Sequence, residues 1–124
     1  AVQVQGFAKL YEELHGEYRS EPTRIADALR VSEPPRISQM VNAVKSSNGD
    51  AIVVTDDEIV RAWRHILRSG FIIEPSSAIV VSAFWKLIDN KQIGKDDEVV
   101  LILTGSGLKY IDIIGKYIVE NIPR

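Results

Sequence analysis

The sequence predicts a single α/β domain over residues 1–124, a three-layer arrangement in which a partly parallel sheet is flanked by helices. Short apolar runs of strand length alternate along the chain with longer segments whose apolar residues recur every three to four positions, the ordering that builds such layers. The chain has 124 residues, 45% of them hydrophobic, which suits one compact core. The segment EVVLILT (98–104) is almost wholly apolar, as strands covered on both faces are.

Residues 1–5 (AVQVQ) alternate like a strand, and the chain enters on this run with no initiator methionine or leading turn, as though inside a larger body. FAKLYEELHGEY (7–18) places Phe7, Leu10, Tyr11 and Leu14 on one helical face. Glu21-Pro22 is a stop, and Thr23 suits the cap of a short helix carrying Ile25, Ala26 and Leu29. Glu33-Pro34-Pro35 breaks the chain, because proline disfavours helix in the residue before it. ISQMVNAVKSS forms the next helix, with Ile37, Val41 and Val44 on one side, stopped by Asn48-Gly49.

AIVVT (51–55) reads as a short buried strand. Thr55-Asp56-Asp57-Glu58 is a capping box, and the helix behind it buries Ile59, Val60, Trp63, Ile66 and Leu67 before closing at Gly70. Phe71-Ile72-Ile73 is strand-like, and Pro75 fits the first turn of a helix that is small and apolar on nearly every face. Such a helix belongs inside a larger body. After 98–104, GLKYIDIIGKYIVENI (107–122) closes the chain as a helix.

The formal charge is −2, with 15 basic and 17 acidic residues interspersed, so nucleic acid and anionic membranes are not expected partners. There is no cysteine, which removes disulfides and thiolate metal sites and suits a cytoplasmic location. The apolar runs are too short to span a bilayer, and none reads as a signal peptide.

Thr104-Gly105-Ser106-Gly107 allows two readings, a plain tight turn or a ligand contact made through backbone N–H groups at a helix start. The run lacks the spacing of a Walker loop and the third glycine of a dinucleotide turn. Glu74-Pro75-Ser76-Ser77 is either a helix cap or a carboxylate and two hydroxyls facing a polar ligand. His15 and His65 read as solvated, and Trp63 and Trp85 as core. The acids at 56–58 are accounted for as a cap and those at 96–98 as a turn, so no metal site is expected. No Ser/His/Asp grouping assembles.

Together the motifs resemble the C-terminal part of the threonine synthase family, which belongs to the fold type II pyridoxal-phosphate enzymes. FIIEPSSA and VVLILTGSGLK carry the resemblance most strongly. Gln3-Val4-Gln5-Gly6 with Ala8 and Leu10 is similar to the family's Q-x-E-G-x-A-P-L segment. Thr23, Ile25, Ala26 and Leu29-Arg30-Val31 up to Pro34 look like its threonine-to-proline stretch, and Gly49 through Thr55-Asp56-Asp57-Glu58-Ile59 looks like its strand and S/T-D-E-E-I helix start. Threonine dehydratases more often carry E-P-x-G-A, and cysteine synthases G-x-S-S-G-A. Departures are Gln5 for an acid, Lys9 for proline, Ser106 for histidine and Tyr110-Ile111 for Asp-Pro. A cysteate-synthase-like relative shares the frame.

The resemblance implies a fragment of a large cofactor-binding domain and pyridoxal phosphate as cofactor. It implies O-phospho-L-homoserine and water as substrates, and threonine and phosphate as products of γ-elimination and water addition. A homodimer acting on a small amino-acid substrate follows from the same likeness. By that likeness the hydroxyl of Thr104 lies beside the cofactor's ring nitrogen, Gly105 and Gly107 let the backbone pass close to the ring, and Glu74 lies near the same edge. Ser76 and Ser77 would shape the pocket wall. The Schiff-base lysine and the phosphate-holding loop belong to parts of the family outside this chain, so the chain alone is expected to be inactive. The alternative is a stand-alone, non-catalytic α/β module for binding or dimerisation, with a large exposed apolar patch.

Overall fold

The structure, a computed structural model, describes residues 2–3, 8–18, 23–31 and 33–116. Its elements run β1 (Val2–Gln3), α1 (Ala8–His15), a 3₁₀ turn (Asp27–Leu29), α2 (Ile37–Ser46), β2 (Ile52–Val53), α3 (Asp56–Arg68), α4 (Pro75–Asp89), a 3₁₀ turn (Gly107–Tyr110) and α5 (Ile111–Ile114). β1 and β2 pair in parallel, Val2 opposite Ile52 and Gln3 opposite Val53. The expected three-layer sheet is therefore reduced, among the described residues, to this two-stranded ladder and an isolated antiparallel bridge between Ile73 and Ser106. The outer parts of the strand expected at 1–5, the side chain of Phe7, the Glu21-Pro22 stop and the helix beyond Lys116 lie outside the described residues.

The helix boundaries follow local chemistry. α3 starts on the expected capping box: the Thr55 hydroxyl accepts from the Glu58 N–H, and the Glu58 carboxylate accepts from the Thr55 N–H at 2.7 Å. Its end is a Schellman turn on Gly70, at φ 92°, with the Phe71 N–H bonded to the Ile66 carbonyl. α2 ends the same way, except that Asn48 takes the left-handed position, at φ 50°, rather than Gly49. The Gly49 N–H reaches the Val44 carbonyl at 2.8 Å. α4 begins on Pro75 as expected.

α3 packs on α4, and their shared face with Ile25, Ala26, Val54, Ile73 and Tyr110 forms the core. Trp63 is fully buried there, and its indole N–H donates to the Ile73 carbonyl at 2.6 Å. Trp85 is only half-buried, its ring edge-on to the exposed His65. Lys86 ties β2 to the start of α3, donating to the Val53 carbonyl at 2.8 Å and pairing with Glu58 at 2.9 Å. Asp56 accepts from the Thr23 hydroxyl and from the Arg24 N–H, and so anchors the segment before the first 3₁₀ turn.

The largest departure from expectation is 98–104, which forms no strand. Along it Val100 is 86% and Ile102 70% exposed, while Val99 and Leu103 are 40% and 39% exposed. The alternation is that of a strand with one face half-covered and the other open. A run of apolar residues becomes a strand only when a neighbour supplies ladder partners, and no described segment lines up along it. Phe71 and Ile72 are likewise exposed, and the expected helix at 107–122 is a 3₁₀ turn followed by a short α-helix as far as it is described.

Candidate functional site

The two motifs singled out by sequence meet in space. Gly105 and Gly107 lie against the segment before α4: the Glu74 N–H donates to the Gly105 carbonyl at 3.1 Å, and the Gly107 N–H donates to the Ile72 carbonyl at 2.9 Å. This approach requires glycine at Gly107, where the neighbour is backbone, and leaves no room for a side chain at Gly105 unless Glu74 moves. A Cβ on Gly107 would sit 2.4 Å from the Ile73 carbonyl oxygen, and one on Gly105 would sit 2.3 Å from the carboxyl carbon of Glu74. The room each glycine leaves is filled within the chain by Ile73 and Glu74.

Ser77, in the first turn of α4 and 1% exposed, fastens the other side of the turn. Its Oγ accepts from the Thr104 N–H at 2.9 Å and from the Gly105 N–H at 3.0 Å, and lies 3.1 Å from Thr104 Oγ1. A hydroxyl oxygen has two lone pairs and one proton. With both lone pairs taken, the Ser77 proton is the one that points at Thr104 Oγ1. Thr104 therefore accepts from Ser77 and keeps its own proton to donate.

Among the described residues that proton has one partner, Oε1 of Glu74, at 3.5 Å, the outer limit of a hydrogen bond. Glu74 is 6% exposed, and its second oxygen, Oε2, is paired with the ammonium of Lys109 at 3.0 Å. Pairing with Glu74 holds the exposed Lys109 ammonium above its ordinary value. Next to it, burial and a 2.7 Å hydrogen bond to Asp27 push the Tyr110 phenol up. Ser76 contributes a buried Oγ with no hydrogen-bond partner among the described residues.

Thr104, Gly105, Gly107 and Glu74 are thus brought together at one place, with Thr104 itself exposed at the rim. Sequence reasoning missed the clamp made by Ser77, which it read as pocket wall, and did not single out Lys109 at all. The usable signal for Ser77 was a hydroxyl in the first turn of an apolar helix. For Lys109 it was a 3₁₀ turn after Gly107, which carries the side chain back over Glu74. A cleft of about 180 Å³ between α1 and α2, lined by Glu13, Ile37, Ser38, Val41 and Asn42, shares no residue with this site.

Residues 1–105 match the family model described as pyridoxal-phosphate dependent enzyme. The chain belongs to that family. Among curated relatives it is 39% identical over 89 residues to the threonine synthase of Methanocaldococcus jannaschii, covering 71% of this chain and 22% of that enzyme. It is 36% identical over 99 residues to the threonine synthase of Bacillus sp. strain ULM1, covering 79% of this chain and 28% of the relative. With the threonine synthase of Mycobacterium leprae the identity is 36% over 109 residues, covering 87% and 29%. The chain thus spans less than a third of the length of these relatives, and every one of them is a threonine synthase.

The residues present suit the family's cofactor at one edge. Thr104 carries an exposed hydroxyl able to donate to a ring nitrogen, and among the described residues the nearest carboxylate to that oxygen is Glu74 at 3.5 Å.

Proposed function

We propose that this chain supplies the ring-nitrogen edge of the pyridoxal-phosphate site of a threonine synthase, in which O-phospho-L-homoserine and water become L-threonine and phosphate. The observation that carries the reading is the hydroxyl of Thr104, exposed at the rim beside a Ser77 oxygen that already accepts from two backbone N–H groups. Identity to threonine synthases over most of the chain supports the choice of reaction. Related lyases of the same fold, cysteate-synthase-like or threonine-dehydratase-like, and a stand-alone binding or dimerisation module are the competing readings.

When bound, pyridoxal phosphate supplies a conjugated electron sink for bond changes at the amino-acid substrate. Thr104 donates to the ring nitrogen, and as a neutral partner it leaves that nitrogen unprotonated. Ser77 fixes the direction of the Thr104 proton. Gly105 and Gly107 keep the turn close against Glu74 and Ile73, so that Thr104 is held at a fixed height above the start of α4. In the proposed enzyme 98–104 is a strand of the sheet, completed by residues of the larger protein, and its open face carrying Val100 and Ile102 is covered. A cytoplasmic homodimer acting on a small amino-acid substrate completes the proposal.

The test is made on the full-length protein that contains this chain. Thr104→Val, which keeps the shape and removes the hydroxyl, should weaken pyridoxal-phosphate binding by roughly tenfold, the worth of one hydrogen bond to a buried acceptor. Thr104→Ser should stay near the parent. Binding followed by cofactor fluorescence reads both, and equal affinity of parent and Thr104→Val overturns the assignment.

A further inference from the structure

Lys109 is a charged side chain at the site to which the proposed chemistry gives no task. It is 64% exposed, yet its partner carboxylate is only 8% exposed. An ion pair between two solvated side chains is worth little, but a carboxylate with most of its surface buried must find donors, because leaving it unpaired is costly. Two side-chain donors stand within reach of Glu74 among the described residues: Lys109 at Oε2 and Thr104 at Oε1.

These two donors are not equivalent. Lys109 is already at 3.0 Å, whereas Thr104 stands off at 3.5 Å. The Ser77 hydroxyl makes no hydrogen bond to the Glu74 carboxylate; its Oγ lies instead against the Thr104 and Gly105 N–H groups and Thr104 Oγ1. Were the ammonium absent, the nearest remaining side-chain donor among the described residues would be the Thr104 hydroxyl, whose long contact with Oε1 would close and hold its proton on Glu74. A ligand nitrogen beside Thr104 would then face lone pairs in place of a proton.

We propose that Lys109 is a positioning residue: by satisfying the buried carboxylate of Glu74 it keeps the Thr104 proton free for the cofactor's ring nitrogen. The inference rests on the assignment of Thr104 made above. The raised proton affinity of Lys109 accords with it, since the charge that pairs with Glu74 persists across the neutral range.

The experiment measures pyridoxal-phosphate affinity and the visible absorption band of the bound cofactor in the full-length protein, for the parent, Lys109→Met, Lys109→Arg and the double variant Lys109→Met/Glu74→Gln. Lys109→Met should bind roughly tenfold more weakly, as for loss of one hydrogen bond at the ring, and should shift the band. Lys109→Arg should match the parent. The double variant should recover most of the loss, because the charge competing for the Thr104 proton is gone. An unchanged Lys109→Met in a protein that binds the cofactor overturns the role of Lys109 and leaves the reading of Thr104 standing. A loss that the double variant does not recover, or that Lys109→Arg shares in full, also overturns it. A parent that binds no pyridoxal phosphate overturns the assignment of Thr104 itself.

Discussion

Gly105 and Gly107 sit two residues apart and fail differently when substituted. A methyl group on Gly107 would strike the Ile73 carbonyl, whose oxygen is already held by the indole of Trp63. That backbone has nowhere to go, so Gly107→Ala should cost about 1–3 kcal/mol of stability, the range for forced overpacking, read as a lower urea midpoint. A methyl group on Gly105 meets the carboxylate of Glu74, the far end of a side chain with rotatable bonds. Gly105→Ala is expected to move Glu74 off Lys109 and to cost more in cofactor affinity than in the urea midpoint. An urea midpoint for Gly107→Ala equal to the parent's would show that the bridge between Ile73 and Ser106 yields easily. At this scale the sequence singled out Thr104 and Glu74, through the likeness of their motifs, and the structure brings them side by side. It did not tell how Ser77 and Lys109 serve them, because those contacts join residues 27 and 35 positions apart (104 − 77 and 109 − 74) and leave no local periodicity.

Helices were the legible elements. Their periodicity and caps are written in consecutive residues, and the Thr55-to-Glu58 box, the proline start of α4 and the Gly70 stop all stand where the sequence put them. Thr55→Ala should therefore cost about 1 kcal/mol, as cap removal does, measured by urea unfolding. The same box predicts a pH dependence. Burial alone would raise the Glu58 carboxyl, but the Thr55 N–H and the Lys86 ammonium outweigh it and hold the group below its ordinary value. A lowered carboxylate stabilises the fold above its unfolded value, and that contribution is lost as pH falls through the folded one. Glu58→Gln should accordingly flatten the acid side of the stability profile between the two values, and an acid limb identical to the parent's would count against the box. Strands were less legible. EVVLILT has the composition of a buried strand, but a strand is a relation between segments, and its partners cannot be read from the run itself.

For the whole molecule, the question is what covers the open apolar surface. Phe71, Ile72, Val100, Ile102, Leu108 and Ile111 are each about half exposed or more, in keeping with the expected patch. Isolated soluble domains seldom carry so much. The isolated chain 1–124 should therefore self-associate, with a light-scattering mass that rises with concentration, and should release no phosphate from O-phospho-L-homoserine. A monomer at every concentration tested would weaken the picture of a surface built to be covered, and phosphate release by the isolated chain would overturn the expectation that it is inactive alone. No helix among the described residues is long and apolar enough to cross a membrane. The coarse fold was legible because alternating segments of two periods imply α/β layers; the number of strands was not, since a sheet is completed by whatever lies beside it.

The hold that Ser77 keeps on Thr104 has a consequence for assembly. The segment 98–103 is open along its length but pinned at its end by two backbone hydrogen bonds to one buried oxygen. Any strand that docks beside it meets an edge whose register is already set, with Val100 and Ile102 committed to one side and Val99 and Leu103 to the other. A slip by one residue would drag Thr104 off the clamp as well as invert every apolar side chain. The residue proposed to read the ring nitrogen is thus also the stop that indexes the sheet.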